Sequence, residues 1–329
     1  MRRDKANGLV TASVAVIVPC FNEAATIGGV VGAFRSSLPS CNVFVFDNNS
    51  TDETRKVAAE AGAIVASEAR QGKGNVVRRM FADVDADIYV LVDGDGTYDP
   101  ESAPRMVQVL WAGGYDMVAG VRKPTERAAY RRGHRAGNRI LTTIVSSVFG
   151  RPIRDLLTGY RVLSRRFVKS FPALSSGFEI ETELSVHALE LGIPFAEIDT
   201  PYFARPEGSE SKLSTFRDGW RILITIVKLM KGERPLAFFG GIGAVLALLS
   251  LGIGVSLWIE FVETGLVPRF PSAVLATGLM LTAALSLVCG LVLDTVTRGR
   301  QEMKRLAYLA LPSLRASAMP TPLSSDRQL

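Results

Sequence analysis

The chain has 329 residues, 47% of them hydrophobic, with a formal net charge of +6 and only three cysteines. Cys20, Cys41 and Cys289 show no CxxC spacing, which excludes a cysteine zinc site and a disulfide framework and fits a reducing cytoplasm. The positive balance points to anionic partners, and the apolar excess is gathered near the end of the chain, beyond what one soluble core needs.

The first residues are basic, but the apolar run that follows is brief, contains Pro19 and lacks a small-residue cleavage site. It reads as a first strand. Val14–Val18, Val43–Phe46, Ile64–Ala66, Ile88–Val92 and Met117–Ala119 are short runs rich in β-branched residues, separated by segments of helical periodicity. Strands alternating with helices predict a mostly parallel sheet with helices on both faces, an α/β domain with its ligand site beyond the carboxyl ends of the strands. Those ends carry Pro19-Cys20-Phe21-Asn22-Glu23, Asp47-Asn48-Asn49-Ser50 and Asp93-Gly94-Asp95. No GxGxxG follows the first strand, so the usual dinucleotide fold is not expected.

Asp93-Gly94-Asp95-Gly96-Thr97 directly follows an apolar strand. Two carboxylates one residue apart at a strand end can both reach one hard divalent cation, magnesium or manganese, while glycine removes obstruction. Between Arg122 and Arg139 lie seven basic residues (Arg122, Lys123, Arg127, Arg131, Arg132, Arg135, Arg139) against Glu126 alone. Such a run suits phosphate or lipid headgroups; a nucleic-acid partner is not expected, because no nucleic-acid module is present and aromatics do not interleave with the charges. His134 and His187 are too isolated for zinc, and His187 is expected to pack on a helix face. Of Glu179, Glu181 and Glu183, two are expected only to favour the dipole of the helix they open.

Toward the end, Phe216, Trp220, Ile222, Leu223, Ile226, Val227 and Met230 alternate with Arg217, Arg221, Lys228 and Lys231 as in an interfacial helix. Leu236–Ile259 and Ser272–Leu293 carry no charge, and at ~1.5 Å per residue each run spans the ~30 Å hydrocarbon layer. Lys228, Lys231 and Arg234 precede the first run and Arg298, Arg300, Lys304 and Arg305 follow the second, whereas Glu260, Glu263 and Arg269 lie between. The positive-inside tendency then places both termini in the cytoplasm. The expected division is a cytoplasmic catalytic domain over 1–213, an amphipathic interfacial helix over 214–235, two transmembrane helices over 236–297 and a basic cytoplasmic tail over 298–329.

The run from Val16 to Glu23, the loop Phe46–Thr54, Gly72-Lys73-Gly74 and the run Asp93–Glu101 together resemble the family 2 inverting glycosyltransferases of GT-A fold, over roughly 13–213. Asp155–Arg161, Phe178–Leu184, and Arg205 followed by Gly208 and Ser211-Lys212-Leu213 are similar to the polyprenyl phosphate branch of that family, which includes dolichol phosphate mannose synthase and bacterial undecaprenyl phosphate enzymes. The resemblance implies transfer of a sugar from a nucleotide sugar, UDP-linked rather than GDP-linked, to a polyprenyl phosphate at a bacterial-type inner membrane. A hydroxyl acceptor is the alternative.

By the same resemblance Pro19, Asn22, Glu23, Asp47, Asn49, Lys73 and Asp93 would bind the nucleotide, and Asp93, Asp95 and Thr97 the metal, Thr97 standing where some relatives have a longer Gln. Arg131, Arg205 and Lys212 would bind the acceptor phosphate, with Arg122, Asp155 and Arg161 catalytic. Asp155 is either a base or an orienting group for Arg161 or the acceptor, and Glu183 aligns best with a family acid. The QxxRW signature of processive synthases is absent, since Gln108–Trp111 lacks the Arg, so polymerisation is not expected. Assembly into a homo-oligomer is left open.

Overall fold

The computed structural model describes residues 12–125, 132–205, 224, 227, 228 and 230–317. Among them, 12–205 and 304–317 belong to one compact unit and 224–303 to another. In the first unit the elements run β1 (Val14–Cys20), α1 (Ala24–Ser37), β2 (Cys41–Asp47), α2 (Thr54–Glu60), β3 (Ile64–Ser67), α3 (Lys73–Asp83), β4 (Ile88–Leu91), α4 (Ser102–Gly113), β5 (Met117–Pro124), α5 (Arg132–Phe149), β6 (Arg161–Ser164), α6 (Arg165–Ser170), α7 (Ile180–Leu191) and β7 (Phe195–Tyr202).

The seven strands form one sheet in the order β3-β2-β1-β4-β6-β5-β7. The first four are mutually parallel, β6 is antiparallel to both β4 and β5, and β7 is parallel to β5. Both faces are covered, as the side chains of β1 show. Ala15 and Ile17 join a cluster with Val77, Met80, Phe167, Ile180 and Leu184, whereas Val16 and Val18 join Ile27, Val31, Phe34, Met106 and Leu110 on the other side. A strand buried on both faces must be apolar at every position, which is why β1 and β4 read as continuous hydrophobic runs.

Two features of this sheet were not expected from the sequence: β6 and β7 were not foreseen, and β6 runs against its neighbours. The reversal brings the start of β6 to the same edge as the ends of β4 and β5, since Arg161 pairs with both Leu91 and Ala119. The loop before β6, holding Asp155, Thr158 and Gly159, is thereby delivered to the ligand edge. β7 ends at that edge too, so residues 203–205 arrive beside the run after β4.

The C-terminal segment packs within this first unit. Lys304 pairs with Glu190 at 2.6 Å, Tyr308 donates to Asp116 at 2.7 Å with Arg166 over its ring, and Arg315 donates to the carbonyls of Trp111 and Ala112 that end α4.

The second unit holds α8 (Pro235–Thr264) and α9 (Phe270–Leu309) as far as Met303; the rest of α9 and the short α10 (Leu314–Ser317) belong to the first unit. Both helices are long and apolar enough to cross a membrane. They extend past the uncharged runs, because backbone hydrogen bonding continues beyond the apolar part. Ala276, Ala283, Gly290 and Thr297 recur every seventh residue as the buried seam of α9, with Ala276 against Ser250, Ala283 against Gly243 and Gly290 against Leu236 and Phe239 of α8. Small residues at heptad spacing let two apolar helices approach closely. Most of the expected interfacial helix lies outside the described residues.

Candidate active site

The site is built at the carboxyl edge of the sheet, where β1 turns toward β2 on one side and β4 lies on the other. Pro19 sits beyond the last β1–β4 pair, Ile17 with Leu91, so its missing N–H costs no bond on that side. Asn22 follows with φ of 52°, and its Oδ1 accepts from Thr51 N at 2.8 Å, while Glu23 N donates to Thr54 Oγ1. Asn49, at φ of 63°, donates to Ala69 O and to Gln71. Asparagine tolerates this left-handed backbone better than most residues. The two asparagine side chains therefore tie the strand-end loops together, and Asp47, 3% exposed, accepts from Ser50 N beneath them.

Lys73 opens α3 and reaches across the edge. Its ammonium donates to Asp93 Oδ1 and to Glu181 Oε1, each at 2.5 Å. Burial alone would push its pKa down, but the Asp93 and Glu181 carboxylates outweigh burial and hold it above the ordinary lysine value. Burial raises the Glu181 pKa, opposed by the charge of Lys73. Asp93 fits only because Gly159 lacks a side chain: a Cβ there would stand 2.4 Å from Asp93 Oδ2. Gly94 has the same role, its Cβ position lying 2.4 Å from Glu23 Oε2 and 2.6 Å from Cys20 Sγ.

Asp95 is 3% exposed. Its Oδ1 accepts from Thr97 N at 3.1 Å and Thr97 Oγ1 at 2.6 Å, and its Oδ2 pairs with Arg205 Nη2 at 2.6 Å. Thr97 is 1% exposed and its hydroxyl is directed at Asp95, so it braces a carboxylate rather than opening toward a ligand. Arg205 was expected on the acceptor phosphate; here it neutralises Asp95.

Asp155 receives a forked pair of bonds from Arg122, with Nε and Nη2 both at 2.8 Å, and a third from Asn138 at 3.0 Å. Burial acts to raise its pKa, but the Arg122 guanidinium and the Asn138 amide outweigh it and hold the carboxyl below its ordinary value. Such an acid is a poor proton acceptor. Its partner is Arg122, not Arg161. Arg161 is fully buried, with its guanidinium donating to the carbonyls of Leu156, Thr158 and Glu181 and to Ser185 Oγ. It fastens the loop before β6 to α7 and does not reach the open edge. Among the three glutamates, Glu183 accepts from Leu174 N and Ser175 N and is structural, whereas Glu181 faces the site. Arg131 and Lys212 lie outside the described residues.

Tyr98 shows how closely the charges converge. Burial raises its pKa first, and the charges of Arg122, Asp93 and Glu181 all act on its hydroxyl, which accepts from Gly159 N at 2.8 Å. Among the described residues no three His, Cys, Asp or Glu side chains form a complete cation site. Asp93 and Asp95 stand two residues apart just beyond β4, Asp93 paired with Lys73 and Asp95 with Arg205.

The model of glycosyl transferase family 2 matches residues 15–171. Glycosyltransferase AglJ of Haloferax volcanii is 34% identical over 300 residues, covering 90% of this chain and 98% of its own. The dolichyl-phosphate hexose transferase of the same organism is 29% identical over 221 residues, 67% of this chain and 95% of that one. In fold, glucosyl-3-phosphoglycerate synthase of Mycobacterium tuberculosis, crystallised with Mn2+, UDP and glucosyl-3-phosphoglycerate, superposes with a TM-score of 0.57 at 21% identity, over 69% of this chain and 82% of that one. The protein belongs to glycosyl transferase family 2. It is a glycosyltransferase with a GT-A-like catalytic unit, and two helices able to cross a membrane follow.

Proposed function

We propose that the enzyme transfers a hexosyl group from a UDP-sugar to the phosphate of a polyprenyl phosphate, inverting the anomeric centre, at the cytoplasmic face of a membrane. The observation that carries this reading is the alternation of charge along one sheet edge: Asp93 and Asp95 stand among Lys73, Arg122 and Arg205. Such an edge suits two phosphate-bearing reactants that otherwise repel. The relative named for dolichyl-phosphate and the neighbour crystallised with Mn2+ and UDP support the acceptor and donor respectively.

In this reading Pro19, Asn22, Glu23, Asp47 and Asn49 shape the base and ribose pocket, and Lys73 keeps Asp93 in place there. Asp93 and Asp95 hold magnesium or manganese, and the cation supplies charge neutralisation for the departing diphosphate. Arg122, set by Asp155, faces the acceptor phosphate, together with Arg205, Arg131 and Lys212. A phosphate monoester has its second pKa near ~6, so the acceptor oxygen is largely deprotonated at neutral pH and needs no strong base. That agrees with an Asp155 clamped by its bonds and acting as an orienting group. The basic residues flanking the two apolar helices favour a cytoplasmic catalytic unit.

The test is transfer from labelled UDP- and GDP-hexoses by the full chain in detergent, with polyprenyl phosphate and the corresponding polyprenol as rival acceptors. Label is expected in the lipid phosphate from a UDP-sugar. Label entering only the polyprenol or another hydroxyl acceptor would overturn the acceptor assignment.

A further inference from the structure

Asp155 is the acid that sets Arg122, and its backbone is fixed from β7: Glu197 Oε1 accepts from Arg154 N at 2.9 Å and from Asp155 N at 3.4 Å. What remains to be set is the rotation of its carboxyl plane. The Arg122 guanidinium does not settle that rotation by itself. Two side chains joined by a fork of hydrogen bonds can turn together as one flat unit, so a fork fixes each partner to the other and neither to the fold.

The two carboxyl oxygens are tied to the fold differently. Oδ2 accepts from Arg122 Nε at 2.8 Å and also, at 3.3 Å, from the Arg122 backbone N on β5. Oδ1 accepts from Arg122 Nη2 at 2.8 Å and from Asn138 Nδ2 at 3.0 Å. Nη2 is the far end of a long side chain, whereas Asn138 stands partly buried on α5. The Asn138 Oδ1 is engaged in turn by Thr142 Oγ1 at 3.4 Å, one turn along the same helix, and Thr142 is buried. The amide therefore offers its N–H to Asp155, as a carboxylate that only accepts requires. Without Asn138, and among the described residues, Oδ1 would keep only Nη2. The carboxyl group would then pivot about Oδ2 and carry the outer end of the guanidinium with it. In the chain α5 opens at Arg132, directly after Arg131. Asn138 thus refers Arg122 to the helix that follows another arginine proposed for the acceptor phosphate.

We propose that Asn138 is a positioning residue for the acceptor: by holding Asp155 Oδ1 it fixes the direction in which Arg122 presents its guanidinium to the acceptor phosphate. The inference rests on reading Arg122 as a ligand of that phosphate and adds the residue that aims it. Asn138 acts through Asp155 and Arg122 and not by touching a reactant. Arg135 and Arg139 stand on either side of it in the chain and carry the charge that marks this stretch; the aiming group is the uncharged residue between them.

Farnesyl phosphate, a soluble isoprenyl phosphate, titrated calorimetrically against the full chain in detergent with saturating Mn2+ and UDP, tests the aiming without any reaction. Asn138→Ala is expected to weaken its binding about fivefold, the worth of one hydrogen bond, while the affinity for UDP with Mn2+ stays native. Arg122→Lys breaks the fork but keeps a charge beside Asp155, and is expected to lose at least as much. Adding Asn138→Ala to Arg122→Lys is expected to cost nothing further, because a residue that acts through the guanidinium then has nothing to aim.

Independent losses that add in the double variant would overturn the inference, as would native affinity in Asn138→Ala. A loss of UDP binding equal to the loss of farnesyl phosphate would also overturn it, since that marks damage to the fold and not a misdirected Arg122. A native chain that binds no farnesyl phosphate would bring down the acceptor reading itself, and this inference with it.

Discussion

Gly159 and Asp155 are the residues on which the site geometry can be tested most sharply. In Gly159→Ala the new Cβ would meet Asp93 Oδ2, the end of a side chain, so Asp93 turns away while the fold survives. Calorimetry is expected to show UDP binding in the presence of Mn2+ weakened about tenfold with thermal stability little changed; unchanged affinity would contradict the placing of Asp93. For Asp155, replacement by Ala leaves Arg122, 13% exposed, without its forked partner and should cost about 3–5 kcal/mol of stability. Asp155→Asn keeps an acceptor and should cost less. A base would instead show a steep loss of rate in both variants and a pH profile that moves with the substitution. Asp93, Asp95 and Lys73 were legible in the sequence because each belongs to a short motif at a strand or helix end. Arg161 was not, since its partners come from α7 and a loop that only the folded sheet brings near. Glu181 and Glu183 are two residues apart at the start of one helix, and nothing local says which of them meets Lys73.

Among the elements, α7 carries a pH-dependent cost. His187 is buried between Phe167 and Phe171 with Ser170 on Nε2, and burial, aided by the charge of Lys304, pushes its pKa down to about 3. Between its ordinary value and that one, the unfolded chain binds a proton that the folded chain refuses, so stability falls as pH drops by about 1.4 kcal/mol per unit. His187→Gln is expected to flatten this slope between pH 6 and 4, as read from thermal unfolding; an unaltered slope would contradict a buried neutral imidazole. α3 offers a different test, because a Cβ on Gly74 would lie 2.2 Å from the backbone oxygen of Ser175. Gly74→Ala is expected to lose about 1–3 kcal/mol, the range for overpacking, where Gly29→Ala, with nothing near its Cβ position, should lose none. β1 to β5 announced themselves as short runs rich in β-branched residues. β6 escaped because its four residues begin with an arginine, an unusual opening for a buried strand, and β7 because Glu197 and Asp199 break its apolar pattern. Those two strands bring the loop with Asp155 and the segment with Arg205 to the edge, so missing them concealed half of the site's construction.

At the scale of the whole molecule, an apolar pair of helices accompanies a catalytic unit whose substrates, in the proposed function, include a lipid. Leu248 is 69% exposed on α8, so its replacement by Arg tests the surroundings of that helix more than its packing. If α8 spans a bilayer, Leu248→Arg should cost about 2.5–3.5 kcal/mol of insertion and reduce the membrane-integrated fraction. Undiminished integration would contradict the span. The two apolar runs were plain in the sequence because length and lack of charge suffice to mark them. The packing of Lys304, Tyr308 and Arg315 against the catalytic unit was not, since in a linear reading they are only basic or aromatic residues in a tail.

The most direct test of the central claim is the thermal shift produced by UDP in the full chain with and without Mn2+, compared with Asp95→Asn. UDP with Mn2+ at saturating concentration is expected to raise the unfolding temperature of the native chain, UDP alone to raise it far less, and neither to do so in Asp95→Asn. An equal shift from UDP in the variant, or in the native chain without the metal, would contradict a diphosphate held through a divalent cation on the paired aspartates.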